Sequence, residues 1–198
     1  MRSLSLALCA LLIVAVPVTD AKALELSRDQ ERRLEGGEVV VVDELPPGGL
    51  VVKGSQGGTG LSLVHASPET VWQVLVNYAH HPGIYPRVVR AQVLKSDPEH
   101  ALVRYVIGVG PFSFGFHVDN YLDEGRRRIV WRLAQEQPND LFRDGWGYWQ
   151  IDLRPTGVLL TYGMVARTVL PAFLTRHAER DGLVATLKAV RERAERAL

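Results

Sequence analysis

The chain is nearly without cysteine: Cys9 is the only one among 198 residues, and it lies in an apolar run near the N-terminus. A single cysteine excludes an intramolecular disulfide, and beyond residue 9 the chain has no thiol to ligate a metal or act as a nucleophile. Small exported scaffolds that depend on disulfides are therefore excluded as well. The fold must be stabilised by a hydrophobic core, which the 46% content of hydrophobic residues can supply.

An excess of charge of either sign is also missing, because the chain has 23 basic and 22 acidic residues. Two of the basic residues, Arg2 and Lys22, and one acidic residue, Asp20, belong to the first 23 residues, so the remainder keeps 21 of each sign. Proteins that bind nucleic acid usually present a strongly basic face or segment. We therefore predict no nucleic-acid partner.

The first 23 residues have the pattern of a cleaved signal peptide. Arg2 gives the positive start, Leu4–Val16 is apolar and uncharged, and Ala21-Lys22-Ala23 places small residues where a signal peptidase cleaves. The apolar run is shorter than the ~20 residues that span a bilayer. We predict a signal peptide over residues 1–23 and a periplasmic or secreted protein, with an uncleaved membrane anchor as the alternative.

Residues 24–60 are predicted to form an N-terminal extension with a short helix and one or more added strands. Ser27 is placed to cap a polar helix that Gly36 ends, and the valine-rich segment Glu38–Leu45 favours a strand. Gly57-Gly58-Thr59-Gly60 lacks the spacing of a phosphate-binding glycine loop, and no helix follows it directly. We interpret these glycines as a bulge or bend within a strand.

The main domain is predicted over residues 61–198 and begins with a strand that leads into a well-marked helix. Ser67 can accept a hydrogen bond from a free N–H group of the first turn, and Pro68 suits the first helical position. Apolar residues then recur at helical spacing over Val71–Leu75. The following segment, Asn77–Pro86, is rich in aromatic residues and prolines and is predicted to contain a second short helix.

The rest of the domain alternates between strands and tight turns, which predicts an antiparallel meander. The predicted strands are Val88–Lys95, Ala101–Val109, Phe112–Leu122, Arg127–Ala134, Trp146–Leu153 and Val158–Ala166. An amphipathic helix over Pro171–Ala197 completes the chain. We predict an α+β fold in which a curved antiparallel sheet wraps around this long C-terminal helix, with two short helices after the first core strand.

Strand alternation predicts which side chains face the C-terminal helix, unless a bulge at Gly115 reverses the parity beyond it. The inward-facing residues are mostly aromatic or apolar, and they either fill a core or line a cavity for an apolar ligand. In the second case the predicted ligand-binding residues are Val103, Tyr105, Ile107, Phe112, Phe114, Phe116, Asn120, Trp131, Trp149, Phe173 and Leu187.

Several short motifs, in the order of the predicted elements, carry a family resemblance. They are Ala66-Ser67-Pro68-Glu69-Thr70-Val71-Trp72, Asn77-Tyr78, Tyr85-Pro86-Arg87-Val88, Thr161-Tyr162 and Leu170-Pro171. From Leu61 to the C-terminus the chain resembles the START-like (SRPBCC, helix-grip) superfamily, and most closely its polyketide cyclase and coenzyme Q-binding protein family. The resemblance implies an apolar cavity between the sheet and the last helix that binds lipids, quinones, sterols or polyketides.

Three functions are compatible with such a domain. We favour a carrier that holds an apolar small molecule without chemistry, because few acid–base groups are predicted to face inward. The alternatives are a polyketide cyclase- or dehydratase-like enzyme that uses the same cavity, and an interaction module without a ligand. A cavity volume well below the roughly 300 Å³ of a typical ligand pocket would contradict the carrier.

The polar residues indicate neither a catalytic site nor a metal site. Four candidates for acid–base chemistry are predicted to lie on the outer face: Arg104, His117, Asp119 and Tyr121. His80 and His81 are adjacent in sequence, and adjacent residues on a helix do not face each other. We expect no catalytic residue, no metal and no cofactor. An apolar small molecule is the expected partner of a monomer, and a transient membrane contact stays open.

Overall fold

The computed structural model describes residues 26–42, 55–169 and 172–197, with only the backbone over residues 172–180. The predicted signal peptide lies outside the described residues, as does the part of the predicted strand Glu38–Leu45 that follows Val42. In the described part of the chain, no helix is both long and apolar enough to cross a membrane. The elements are α1 Arg28–Glu35, β1 Val40–Val42, β2 Gln56–Val64, α2 Pro68–Val76, a 3₁₀ turn Tyr78–His80, β3 Val88–Ser96, β4 His100–Val109, β5 Phe112–Asp123, β6 Arg128–Leu133, β7 Phe142–Arg154, β8 Gly157–Thr168 and α3 Ala172–Glu195.

The eight described strands form one antiparallel sheet in the order β1-β2-β8-β7-β6-β5-β4-β3. Strands β3 to β8 follow one another as the predicted meander, and β2 joins the sheet by pairing with β8. The segment of α2 and the 3₁₀ turn connects β2 to β3 at the far edge of the sheet. The α+β fold and its two short helices are confirmed.

Helix α2 begins as the sequence predicts. The Ser67 side chain accepts a hydrogen bond from the backbone N–H of Thr70 at 3.1 Å, and Pro68 occupies the first helical position. Trp72 and Leu75 are buried in the core that α2 shares with the sheet. This helix therefore has a fixed start and a fixed buried face, which positions the chain that leaves it at Asn77.

The glycine-rich segment is a regular part of β2, and the predicted bulge or bend is wrong. Pairing of β2 with β8 is unbroken along the whole strand. A Cβ atom at Gly60 would lie 2.6 Å from Cδ1 of Leu187, and one at Gly57 would overlap the carbonyl oxygen of Met164. Glycine is thus required because α3 and β8 approach β2 closely. The predicted boundary between the N-terminal extension and the main domain, after residue 60, falls inside this strand.

Two clusters of buried side chains lie on the inner face of the sheet. The larger cluster joins α2 and α3 to β2, β6, β7 and β8 and includes Trp149 and Leu187. The smaller cluster joins the 3₁₀ turn to β4 and β5 and includes Tyr78, Val103 and Tyr105. Helix α1 packs on the outer face, against β1, β2 and β8. The candidate site lies on the inner face, where the two clusters meet.

Candidate ligand-binding site

A cavity lies between the inner face of the sheet and the segment formed by α2 and the chain that follows it. The sequence predicts a cavity between the sheet and the C-terminal helix, but no described residue of α3 lies in this wall. Its volume is about 120 Å³, and it is partly open to solvent. No Asp, Glu, Lys or Arg occurs in the described part of its wall. That wall consists of Leu75, Tyr78, His81, Tyr85, Val88, Tyr105, Phe116, Val118, Asn120, Ile129, Trp131, Trp149 and Tyr162.

Five residues of the predicted binding set lie in this wall. They come from four adjacent strands, β4 to β7, and the register places Tyr105 opposite Phe116 and Asn120 opposite Trp131. Strand alternation therefore brings together distant parts of the sequence on one face of the sheet. The five residues are Tyr105, Phe116, Asn120, Trp131 and Trp149. Their contact with a ligand stays a prediction.

Two other predicted residues face inward but belong to the core instead of the cavity wall. Val103 is fully buried in the smaller cluster beside the cavity. Leu187 is fully buried where α3 packs on β2, close to Gly60. A periodic pattern gives the direction of such side chains but not whether their neighbours leave space. The side chain of Phe173 lies outside the described residues.

The β4–β5 hairpin extends beyond the cavity. Ile107 pairs with Phe114 nearer the tip, and neither lies in the cavity wall. Phe112 pairs with Val109 at the tip itself and is 66% exposed. These three predicted residues therefore do not lie in the cavity wall. Strand alternation predicts which face of the sheet a side chain is on, but not how far along the strand the helices cover that face.

Strand β5 passes Gly115 without a bulge, so the predicted parity holds along its whole length. The pairing of β4 with β5 is continuous from His100–Tyr121 to Val109–Phe112. The polar residues with alternate parity therefore lie on the outer face, away from the cavity: Arg104, His117, Asp119 and Tyr121. Among the described residues, no group of three or more His, Cys, Asp or Glu is arranged to hold a metal ion.

Sequence reasoning missed most of the polar residues in the cavity wall. Tyr162 faces Trp149 across the β7–β8 pair, and the alternation of β8 was the signal that would have placed it. Tyr78, His81 and Tyr85 follow α2 in an irregular segment. No periodic rule gives the direction of side chains there, so only the aromatic composition of the segment pointed to them.

The aromatic rings of the wall form a continuous row. In the order Tyr162, Trp149, Tyr85, His81, Tyr105 and Phe116, the neighbouring ring centroids are separated by 4.0, 6.2, 4.2, 5.8 and 5.6 Å. Offset and tilted aromatic pairs at such distances are mutually stabilising. The row gives the cavity a rigid wall against which a planar apolar group can stack.

His81 is buried in this row, with both ring nitrogens hydrogen-bonded. Nε2 lies 3.1 Å from the carbonyl oxygen of Leu75, which can only accept, so Nε2 carries the proton. Nδ1 then accepts a hydrogen bond from the Tyr105 hydroxyl at 2.8 Å. Burial lowers the pKa of His81 to about 4 and raises the pKa of Tyr105 well above its ordinary value. Both groups are therefore uncharged at neutral pH.

A larger, more open groove of about 390 Å³ lies between α2 and the end of α3. Its wall includes the exposed residues Glu69, His80 and Arg193. Charged side chains in contact with water are well solvated, so the groove needs no ligand to satisfy them. The smaller aromatic cavity is the better candidate because its polar groups are buried.

Several solved structures share this architecture. The ZhuI aromatase/cyclase from Streptomyces sp. R1128 is 20% identical, with a TM-score of 0.62 over 72% of this chain and 94% of that chain. A STAR-related lipid transfer protein from Xanthomonas axonopodis is 16% identical, with a TM-score of 0.61 over 79% and 98%. A START superfamily protein from Mycobacterium smegmatis is 20% identical, with a TM-score of 0.60 over 71% and 97%. A search of curated proteins found no match.

The sheet and the covering helices have the helix-grip fold that these START-related structures share. The model of the family described as polyketide cyclase / dehydrase and lipid transport matches residues 64–191, which is more than half of the chain. The chain belongs to this family. Its membership and the cavity together support a domain that binds a hydrophobic small molecule.

Proposed function

We propose that this chain is an exported carrier that binds an uncharged, ring-containing molecule of lipid, quinone or polyketide type. The observation that carries the proposal is the composition of the cavity wall, which combines a row of aromatic rings with buried, uncharged polar groups. Small-molecule sites typically combine an apolar, aromatic lining with a few polar groups that orient the ligand. The family of the chain includes proteins of lipid transport as well as cyclases.

The volume of the cavity limits what it holds. About 120 Å³ is well below the roughly 300 Å³ of pockets that enclose a drug-sized ligand. The expectation of a cavity for a whole ligand of that size is therefore not met, and this favours an interaction module as the second candidate. Because an engineered cavity of about 150 Å³ binds benzene, we assign one ring of the ligand to this cavity and the rest of a larger ligand to its opening.

The His81–Tyr105 pair supports binding over catalysis. A general base works best when its pKa lies near the operating pH. Here burial moves the two pKa values in the directions that oppose proton transfer, since the imidazole becomes a weaker base and the phenol a weaker acid. Both imidazole nitrogens are also occupied by partners within the protein. The pair therefore supports the shape and polarity of the wall without offering a base to a ligand.

An exposed apolar surface at one end of the sheet supports a transient contact with a lipid membrane. Phe112 and Val109 form the tip of the β4–β5 hairpin, and Val89 is exposed on the neighbouring strand β3. Arg87 and Arg90 are exposed beside them. Apolar side chains flanked by arginines suit a membrane surface with anionic lipids. Such a contact would bring the carrier to a source of apolar ligands.

Export is proposed from the first 23 residues alone. A charged start, a short apolar run and small residues at the cleavage position favour secretion with removal of the segment. The N-terminal sequence of the protein recovered from outside the cytoplasm should then begin at Leu24 or within a few residues of it. An N-terminus at Met1 in that fraction would contradict the assignment.

A pair of matched substitutions tests the carrier. Val118 lies in the cavity wall, whereas Val130 lies one strand away on the outer face. Native mass spectrometry of the protein from the cells that produce it should show a stoichiometric organic ligand, recovered by organic extraction. We expect Val118→Phe to lose this ligand and Val130→Phe to retain it. No bound ligand in the unaltered protein, together with turnover of a poly-β-keto substrate, would establish the enzyme instead.

A further inference from the structure

Tyr78 has a hydroxyl group that is buried and lacks a hydrogen-bond partner. The residue begins the 3₁₀ turn after α2, is 6% exposed, and lies in the cavity wall. Its ring is held in place by an edge contact with His81, with the centroids 5.2 Å apart. Buried polar groups in folded proteins are nearly always paired, and an unpaired one is destabilising. This hydroxyl therefore calls for a partner that the chain itself does not supply.

Two other polar side chains of the wall, Tyr105 and Asn120, have committed their hydrogens. The Tyr105 hydroxyl donates to His81, so its oxygen is left to accept. The side-chain amide of Asn120 donates to the carbonyl oxygens of Ala101 and Val118 at 3.2 and 3.4 Å, so its Oδ1 is likewise left to accept. Of these three residues, Tyr78 alone has a buried donor without a partner.

The wall also selects against charge. The described wall contains no Asp, Glu, Lys or Arg, and burial keeps the imidazole of His81 uncharged at neutral pH. Burial likewise raises the pKa of all four tyrosines of the wall, so none supplies a negative charge. Transfer of an unpaired charge into such surroundings is strongly unfavourable. A ligand that enters the cavity must therefore be uncharged where it contacts the wall.

We propose that Tyr78 is a specificity-determining residue that donates a hydrogen bond to an uncharged carbonyl oxygen on the ring portion of the ligand. The inference rests on the proposed binding function and deepens it, because it names the chemical group that the cavity recognises. A carbonyl oxygen accepts from the phenol, whereas the ring stacks on the aromatic row. An alkene of the same shape leaves the hydroxyl unpaired, and a carboxylate brings a charge that the wall does not balance.

Three small probes and two substitutions test this assignment. Acetophenone and α-methylstyrene have the same shape and differ in the carbonyl oxygen, and benzoate adds a negative charge. In the unaltered protein, acetophenone should bind about fivefold more tightly than α-methylstyrene, the typical effect of one net hydrogen bond, and more tightly than benzoate. In Tyr78→Phe this ratio should fall to about one, mainly because acetophenone binds more weakly. Tyr121→Phe, which removes an exposed hydroxyl on the outer face, should keep the ratio.

The free energy of unfolding distinguishes this role from a structural one. Because the Tyr78 hydroxyl has no partner to lose, Tyr78→Phe should be at least as stable as the unaltered protein. Equal binding of both neutral probes to the unaltered protein would overturn the role of Tyr78 and leave the carrier standing. A preference for acetophenone over α-methylstyrene that persists in Tyr78→Phe would likewise overturn the role of Tyr78 and leave the carrier standing. Failure of both neutral probes to bind the unaltered protein would overturn the carrier and the inference together.

Discussion

The buried imidazole of His81 makes the stability of this protein depend on pH. In the unfolded chain the pKa of this group returns to its ordinary value of 6.5, whereas burial lowers it to about 4 in the folded protein. Between these values the unfolded chain binds a proton that the folded protein does not. The free energy of unfolding therefore rises with pH through this window. The stability that the protein owes to a neutral His81 is fully present above pH 6.5 and is lost as the pH falls towards 4.

The size of the effect follows from the two pKa values. Lowering the pH from about 7.5 to about 5 should reduce the free energy of unfolding by about 2 kcal/mol through His81 alone. Burial is the main cause of the low pKa of His81, and the neighbouring His80 makes a smaller contribution in the same direction. The facing groups Tyr78, Tyr85 and Tyr105 remain uncharged in this range and do not compensate it.

Urea unfolding of the unaltered protein and of His81→Gln at the two pH values isolates this contribution. Glutamine keeps a donor and an acceptor in place of the two ring nitrogens but does not titrate. All other titratable groups are the same in the two proteins. The loss of stability between the two pH values should therefore be smaller in the variant by about 2 kcal/mol. An equal loss in both proteins would show that the imidazole is accessible to protons in the folded state and would refute the reasoning.

Two further predictions concern the cavity wall and the exposed hairpin tip. Gly147→Ala should reduce the free energy of unfolding by about 1–3 kcal/mol in urea titrations, because the added Cβ would lie 2.6 Å from the ring of Trp131. Gly182→Ala is the matched control, since the added Cβ would have no atom within 4 Å, and it should raise the free energy of unfolding by about 0.5–1 kcal/mol. Phe112→Ser should weaken binding to vesicles with anionic lipids severalfold in a sedimentation assay, and Leu153→Ser, exposed at the opposite end of the sheet, should not. Equal behaviour within either pair would contradict the corresponding account.

The elements with local signals were predictable from the sequence. Ser67 and Pro68 mark the start of α2 by their own hydrogen-bonding and backbone chemistry, and the tight turns separate the strands of the meander. Alternation then placed Tyr105 and Trp131 on the same face without knowledge of the sheet. These features depend on short-range rules that each segment obeys by itself.

The remaining features depend on contacts between distant segments. Gly60 is glycine because Leu187 packs against it, which no local pattern of β2 reveals. His81 and Tyr85 enter the wall from an irregular segment, where neither the helical nor the strand period applies. The volume of the cavity is the small difference between the space enclosed and the side chains that fill it. It is therefore accessible only from the packed structure.

The indole N–H resonances of the four tryptophans provide the most direct test of where an uncharged ring binds. Trp131 and Trp149 lie in the cavity wall, whereas Trp146 lies on the outer face of β7. In a titration with acetophenone followed by NMR, the account predicts that the signals of Trp131 and Trp149 shift together to saturation while that of Trp146 stays in place. Saturable shifts at Trp146 without shifts at Trp131 and Trp149, or no saturable shift at any tryptophan, would contradict it.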